Sequence, residues 1–176
     1  MAIETVPPRD LVEQAEAGEA EAQSSLGRWY ADVAGDIVSA KAWFARAAEQ
    51  GLGKAIHNLG ILALRDGEFE LATRHLARSA RQGWLPSFFV LGQILESDGR
   101  EQDAVRLYED AASQGDVACQ DALGRRAFDE EDFETALHWT RKAAEAGGPW
   151  RRHGSAPSTM RDSASRDIRS RLPSGG

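Results

Sequence analysis

The chain has 176 residues, 41% hydrophobic and 28% charged, with a formal net charge of −7, a composition that fits one ordinary domain or one short repeat array. Its apolar runs fall far short of the ~20 residues a helix needs to cross a bilayer, and its single cysteine, Cys119, excludes an internal disulfide framework. Residues 148–176 carry six basic and two acidic side chains, a net +4 that leaves −11 on the first 147 residues, so the body is expected to repel a phosphate backbone, not bind nucleic acid.

Met1 to Asp10 has no basic stretch followed by an apolar core, so no secretory leader is read there and the cytoplasm is the expected location. Leu11, Val12 and Ala15 then make half of a helical stripe, and residues 1–18 are expected to hold an N-terminal segment and a capping helix. From there the chain is periodic. Gly18, Gly51, Gly83, Gly115 and Gly147 follow one another at separations of 33, 32, 32 and 32. Each stands three residues after an alanine (Ala15, Ala48, Ala80, Ala112, Ala144), and a Leu-Gly pair recurs in phase at Leu26-Gly27, Leu59-Gly60, Leu91-Gly92 and Leu123-Gly124. Two landmark sets in one register mark an internal repeat, with units at 19–51, 52–83, 84–115 and 116–147.

The third unit shows how each is expected to fold. Pro86 suits the first turn of a helix, where its missing N–H costs nothing. Phe88, Leu91, Ile94 and Leu95 follow at helical spacing, and Asp98-Gly99 stops them with a turn. Ala104, Leu107, Tyr108, Ala111 and Ala112 form a second stripe, ended by Gly115 where a left-handed residue is wanted. A glycine inside a helix costs about 1 kcal/mol relative to alanine, so four at one phase imply close approach of a neighbouring helix. Phe44, Leu76 and Tyr108, with Trp43, Leu107 and Trp139, fill the space between the small residues. Helices of about 13 residues are marginal alone and need to stack on the next pair. The predicted fold is all-α: a right-handed α-solenoid of about four helix–turn–helix repeats of 32 residues plus an N-terminal capping helix.

The unit resembles a tetratricopeptide-type repeat, and more closely its Sel-one-like variant. The residues that carry the resemblance are Ala22, Leu26-Gly27, Tyr30 and then Ala47-Ala48-Glu49-Gln50-Gly51, and it covers roughly residues 10–147. The period of 32 is shorter than the usual repeat, and the aromatic after Leu-Gly is kept only at Tyr30. In the fourth unit Arg126 stands where Leu62 and Ile94 stood. The resemblance implies a concave groove lined by the first helices of successive units. Carried onto this chain, its partner-binding positions are Arg28, His57, Asn58, Ile61, Arg65, Phe89, Gln93, Asp121, Arg125 and Phe128. Arginine and amide groups there suit a peptide backbone or carboxylate, and Ile61, Phe89 and Phe128 suit apolar side chains. The same phase also suits plain packing between helices for Ile61, Leu64, Phe89 and Val90, and a structural role for His57.

No site chemistry emerges elsewhere. Phosphate-loop and dinucleotide motifs are absent, and none of His57, His75, His138 and His153 lies three or four residues from another. Cys119 shares the small-residue phase of Ala22, Ala55 and Ser87, which suits a buried packing thiol. Asp129–Asp132 lacks calcium-loop spacing and suits a solvated turn. No catalytic residue, metal or cofactor is therefore expected. The function read from the sequence is a scaffold or adaptor that binds another protein or peptide, with no small-molecule substrate and no membrane. The alternative is self-association, a homodimer formed through a poorly capped last repeat at Ala136, Leu137 and Trp139; an enzyme ranks third. Residues 148–176 form a basic Ser/Arg/Gly-rich tail whose composition points to disorder, although Ala164, Ile168 and Leu172 share a face that a short helix would present.

Overall fold

The structure, a computed structural model, describes residues 6–147, where helices and turns account for the chain. In order these are α1 (Arg9–Glu16), α2 (Ala20–Trp29), a π-helical turn (Tyr30–Ala34), α3 (Ile37–Glu49), α4 (Gly53–Arg65), α5 (Phe69–Arg81), α6 (Pro86–Ser97), α7 (Glu101–Ser113), α8 (Val117–Asp129) and α9 (Phe133–Glu145). No strand occurs among the described residues. The architecture is the all-α helical repeat that the glycine and Leu-Gly periods imply. Two compact units divide the chain, Met1–Leu91 and Gly92–Gly176. The expectations for Trp150, for the tail and for a helix near Met160–Leu172 lie outside the described residues.

Both sets of turn residues do what their phase demands. Gly18, Gly51, Gly83, Gly115 and Gly147 all take positive φ, between 80° and 98°. A second series ends the first helix of each pair, at Gly35, Gly67 and Gly99. The fourth member of that series is Glu131, with φ of 62°, the one non-glycine with positive φ among the described residues. The starts of α3, α8 and α9 are fixed by aspartates: Asp36, Asp116 and Asp132 accept from the backbone N–H of Ser39, Cys119 and Thr135.

The Leu-Gly glycines mark close helix crossings. A Cβ on Gly27 would lie 2.8 Å from Phe44, on Gly60 2.8 Å from Leu76, on Gly92 2.1 Å from Tyr108 and on Gly124 2.9 Å from Thr140. The four neighbours are themselves spaced by 32, so one small residue on the first helix meets one filler on the second throughout. In the first unit Ala40, Phe44, Ala47, Ala48, Ala55, Ile56 and Leu62 form the core, flanked by Tyr30, Ala31, Ile37, Leu52 and Leu59. Leu11, Val12 and buried Ala15 of α1 pack with Ala22 and Leu26 of α2. In the second unit Ala104, Tyr108, Ala111, Cys119, Leu123, Ala136 and Ala143 are buried.

The glycine separation of 33 in the first unit has a structural cause. Gly27 to Gly35 is one residue longer than Gly60 to Gly67 or Gly92 to Gly99. The extra residue is taken up by the π-turn, whose wider loop of chain is closed by the Gly35 N–H donating to the Tyr30 carbonyl. Tyr30 is held there by an edge-on contact with Trp29, ring centroids 5.2 Å apart.

Candidate functional site

In the first unit, α2 with its π-turn and α4 border a cavity of 160 Å³, lined by Arg28, Ala31, Asp32, Phe44, Asn58, Ile61, Leu62 and Arg65. At ~30 Å³ per water it holds roughly five waters, the space of one branched aliphatic side chain. Phe44 and Leu62 are buried and form its floor. Ile61 is half-buried, whereas Arg28 and Arg65 are exposed at the rim. Four of the residues named from the sequence, Arg28, Asn58, Ile61 and Arg65, thus come together around one hollow. Ala31 and Asp32 were not among them, although they stand five and six residues after Leu26, as Leu64 and Arg65 do after Leu59.

His57 sits one turn away, half-buried, in a different setting. Ser79 Oγ donates to the Gly53 carbonyl at 2.6 Å, and Ser87 Oγ donates to Ser79 Oγ at 2.8 Å. Ser87 therefore has only a lone pair left for His57 Nδ1, 2.9 Å away, so Nδ1 carries the proton. This chain of polar groups ties α4, α5 and α6 together within the first unit. Burial pushes the His57 pKa below its ordinary value. Phe89 and Val90 are half-buried on α6.

The second unit treats its charges differently. Asp121 and Arg125 pair with each other at 3.0 Å along α8. Arg126 binds Glu101 of α7 at 3.0 Å and Glu130 at 2.9 Å, with Glu96 of α6 at 4.0 Å. Arg126, which stands where Leu62 and Ile94 stand in earlier units, is half-buried, and its guanidinium joins three helices. Tyr108, buried, donates to Glu96 at 3.1 Å, and desolvation together with the Glu96 charge drives its hydroxyl pKa up. Gln93 is exposed, and Phe128 meets Phe133 edge-on at 5.8 Å. Cys119 is fully buried, and desolvation reinforced by Asp116 raises its thiol pKa. Burial and a raised pKa favour the neutral thiol, the form that suits packing. Among the described residues no group of three or more His, Cys, Asp or Glu side chains is placed to hold a metal ion, and no helix is long and apolar enough to cross a membrane.

The Sel1 repeat model matches residues 20–52, 91–116 and 123–148. The chain is a Sel1-repeat protein, within the tetratricopeptide-like class of helical repeats. It is similar to the crystal structure of a Sel1 repeat protein from Oxalobacter formigenes, with 29% identity and a TM-score of 0.69 over 78% of this chain and 62% of that one. It is also similar to a protective antigen of uropathogenic Escherichia coli strains displaying an SLR fold, with 32% identity and a TM-score of 0.66 over 82% of this chain and 34% of that one. The chain thus spans less than two thirds of the length of both. A sel1 repeat protein from Klebsiella pneumoniae shares the fold at 21% identity and a TM-score of 0.57, over 92% of this chain and 99% of that one. No curated protein matches. Sel1-repeat proteins are generally protein-interaction scaffolds, and the fold is typically non-enzymatic.

Proposed function

We propose that this Sel1-repeat chain is an adaptor that holds a peptide or helix of a partner protein, and that the α2/α4 cavity of the first unit is its anchoring point. One observation carries the reading. Arg28, Asp32 and Arg65 ring an apolar-floored hollow and form no ion pair with any described residue. Unpaired arginines over a concave apolar floor are the usual anchors of protein interfaces. Elsewhere, the apolar face invoked for self-association is reduced: Ala136 is fully buried, and the Trp139 ring is covered by Lys142 at 5.0 Å.

The test is affinity capture from native lysate with wild type beside Arg28→Glu, Arg65→Glu. A protein retained by wild type and lost by the variant, at equal helicity, supports the adaptor reading. Identical captures by the two forms contradict it.

A further inference from the structure

The π-turn has a consequence for the charges around the cavity. Asp32 follows Arg28 by four residues. On an unbroken α-helix residues four apart are neighbours, and an acid and a base so placed can pair with each other. Asp121–Arg125 on α8 does so at 3.0 Å, and Arg126–Glu130 at its C-terminal end at 2.9 Å. In the first unit the π-turn begins at Tyr30, between the two partners. Asp32 still lines the cavity with Arg28 but makes no ion pair with it, nor with Arg65 on the facing helix. Three charges thus stand apart around one hollow, with Ala31 and Asp32 carried to it by the π-turn.

We propose that the π-turn Tyr30–Ala34 is the specificity element of this cavity, and that the cavity takes an acidic peptide segment in which an aliphatic side chain stands beside a carboxylate. Resting on the partner-binding reading above, the inference names the partner's chemistry. The argument is charge and shape complementarity. Two guanidiniums against one carboxylate give the rim a net positive charge on a body that is otherwise acidic. Arg28 and Arg65 offer forked donors to a carboxylate. The floor of Ala31, Phe44, Ile61 and Leu62 takes the aliphatic group. Asp32 and the Asn58 carbonyl supply acceptors for peptide N–H groups, which a bare anion lacks.

The experiment uses the full chain and three labelled synthetic peptides of alternating composition: glutamate–leucine, glutamine–leucine and lysine–leucine, followed by fluorescence anisotropy. The glutamate peptide is expected to bind at least about tenfold more tightly than the glutamine peptide, the size of one charge-assisted hydrogen bond, and the lysine peptide not at all. Deleting Val33, which is exposed, restores the 32-residue period and lets Asp32 pair with Arg28. That deletion is expected to reduce the glutamate preference to within about threefold while helicity is kept. Should the deletion fail to fold, Arg28→Gln, Arg65→Gln reads the same loss from two exposed positions. Equal binding of the glutamate and glutamine peptides overturns the inference, as does an undiminished preference in folded deletion protein or in the double glutamine variant. If Arg28→Glu, Arg65→Glu loses the natural partner while wild type shows no glutamate preference, the site stands and the acidic-peptide inference alone falls. If that variant keeps the natural partner, the adaptor reading falls whatever the peptides do.

Discussion

The two units of this chain use the same helical phase in opposite ways. In the first, Arg28 and Arg65 stand unpaired around a hollow floored by Phe44 and Leu62. In the second, Arg125 is taken by Asp121, and Arg126 by Glu101 and Glu130. A surface whose charges already satisfy one another gains little by meeting a partner, since it must first break those contacts. One whose charges are held apart gains more. The repeat fixes where side chains stand; the charges beside them decide whether they are available.

The largest effect expected is on packing, and it sharpens the contrast between crossings. Gly92→Ala drives a methyl to 2.1 Å from the Tyr108 ring, and Tyr108 is buried and tied to Glu96. Overpacking of this kind costs about 3 kcal/mol, to be read as a lowered urea midpoint. Gly124→Ala meets the Thr140 hydroxyl at 2.9 Å and nothing else closer than 3.4 Å. Its strain should be largely offset by the ~1 kcal/mol that alanine gains over glycine in a helix. Similar midpoints for the two variants would show that the crossings are not as different as their geometry.

Glu131 comes next, at about 1 kcal/mol. It occupies the left-handed position that Gly35, Gly67 and Gly99 hold elsewhere, and a side chain there is strained by about 1–2 kcal/mol. Glu131→Gly should therefore raise thermal stability, offset in part by the extra freedom of glycine in the unfolded chain. A lowered Tm would mean that the Glu131 carboxylate makes up for its backbone. Arg126→Ala should cost under about 1 kcal/mol, because its ion pairs are partly exposed, and the loss should shrink as salt is raised. An effect that persists in high salt would assign Arg126 to packing instead.

The smallest expected effect is a pH dependence seated in the first unit. Burial lowers the pKa of His57, and burial with the charges of Arg78 and Arg74 lowers that of His75. Both therefore bind a proton more readily in the unfolded chain. Stability should hold above pH 6.5, the ordinary histidine value, and decline as pH falls below it. His57→Gln should flatten that decline in urea titrations at stepped pH; an unchanged slope would remove His57 from the cause.

Much of this was legible in the sequence, for a definite reason. The period of the glycines and Leu-Gly pairs reports steric need at turns and crossings, and steric need is local in the chain. The helix ends at Gly67 and Gly99, the start at Pro86 and the burial of Cys119 all followed. Charge use was not legible. Arg125 looked as available as Arg28; in the structure Asp121 claims the one, while the other forms no ion pair with a described residue. Thr140 was missed as the fourth filler because it is small and polar, although its spacing from Tyr108 repeats the period.

The central claim is that the first unit's unpaired arginines, and not the second unit's paired ones, hold the partner. It is tested by titrating a captured partner in a calorimeter against two double variants, Arg28→Glu, Arg65→Glu and Arg125→Glu, Arg126→Glu. The account predicts a loss of about a hundredfold in affinity for the first, two charge-assisted contacts being removed, and less than about threefold for the second. Full affinity in the first variant, with the loss confined to the second, would contradict it.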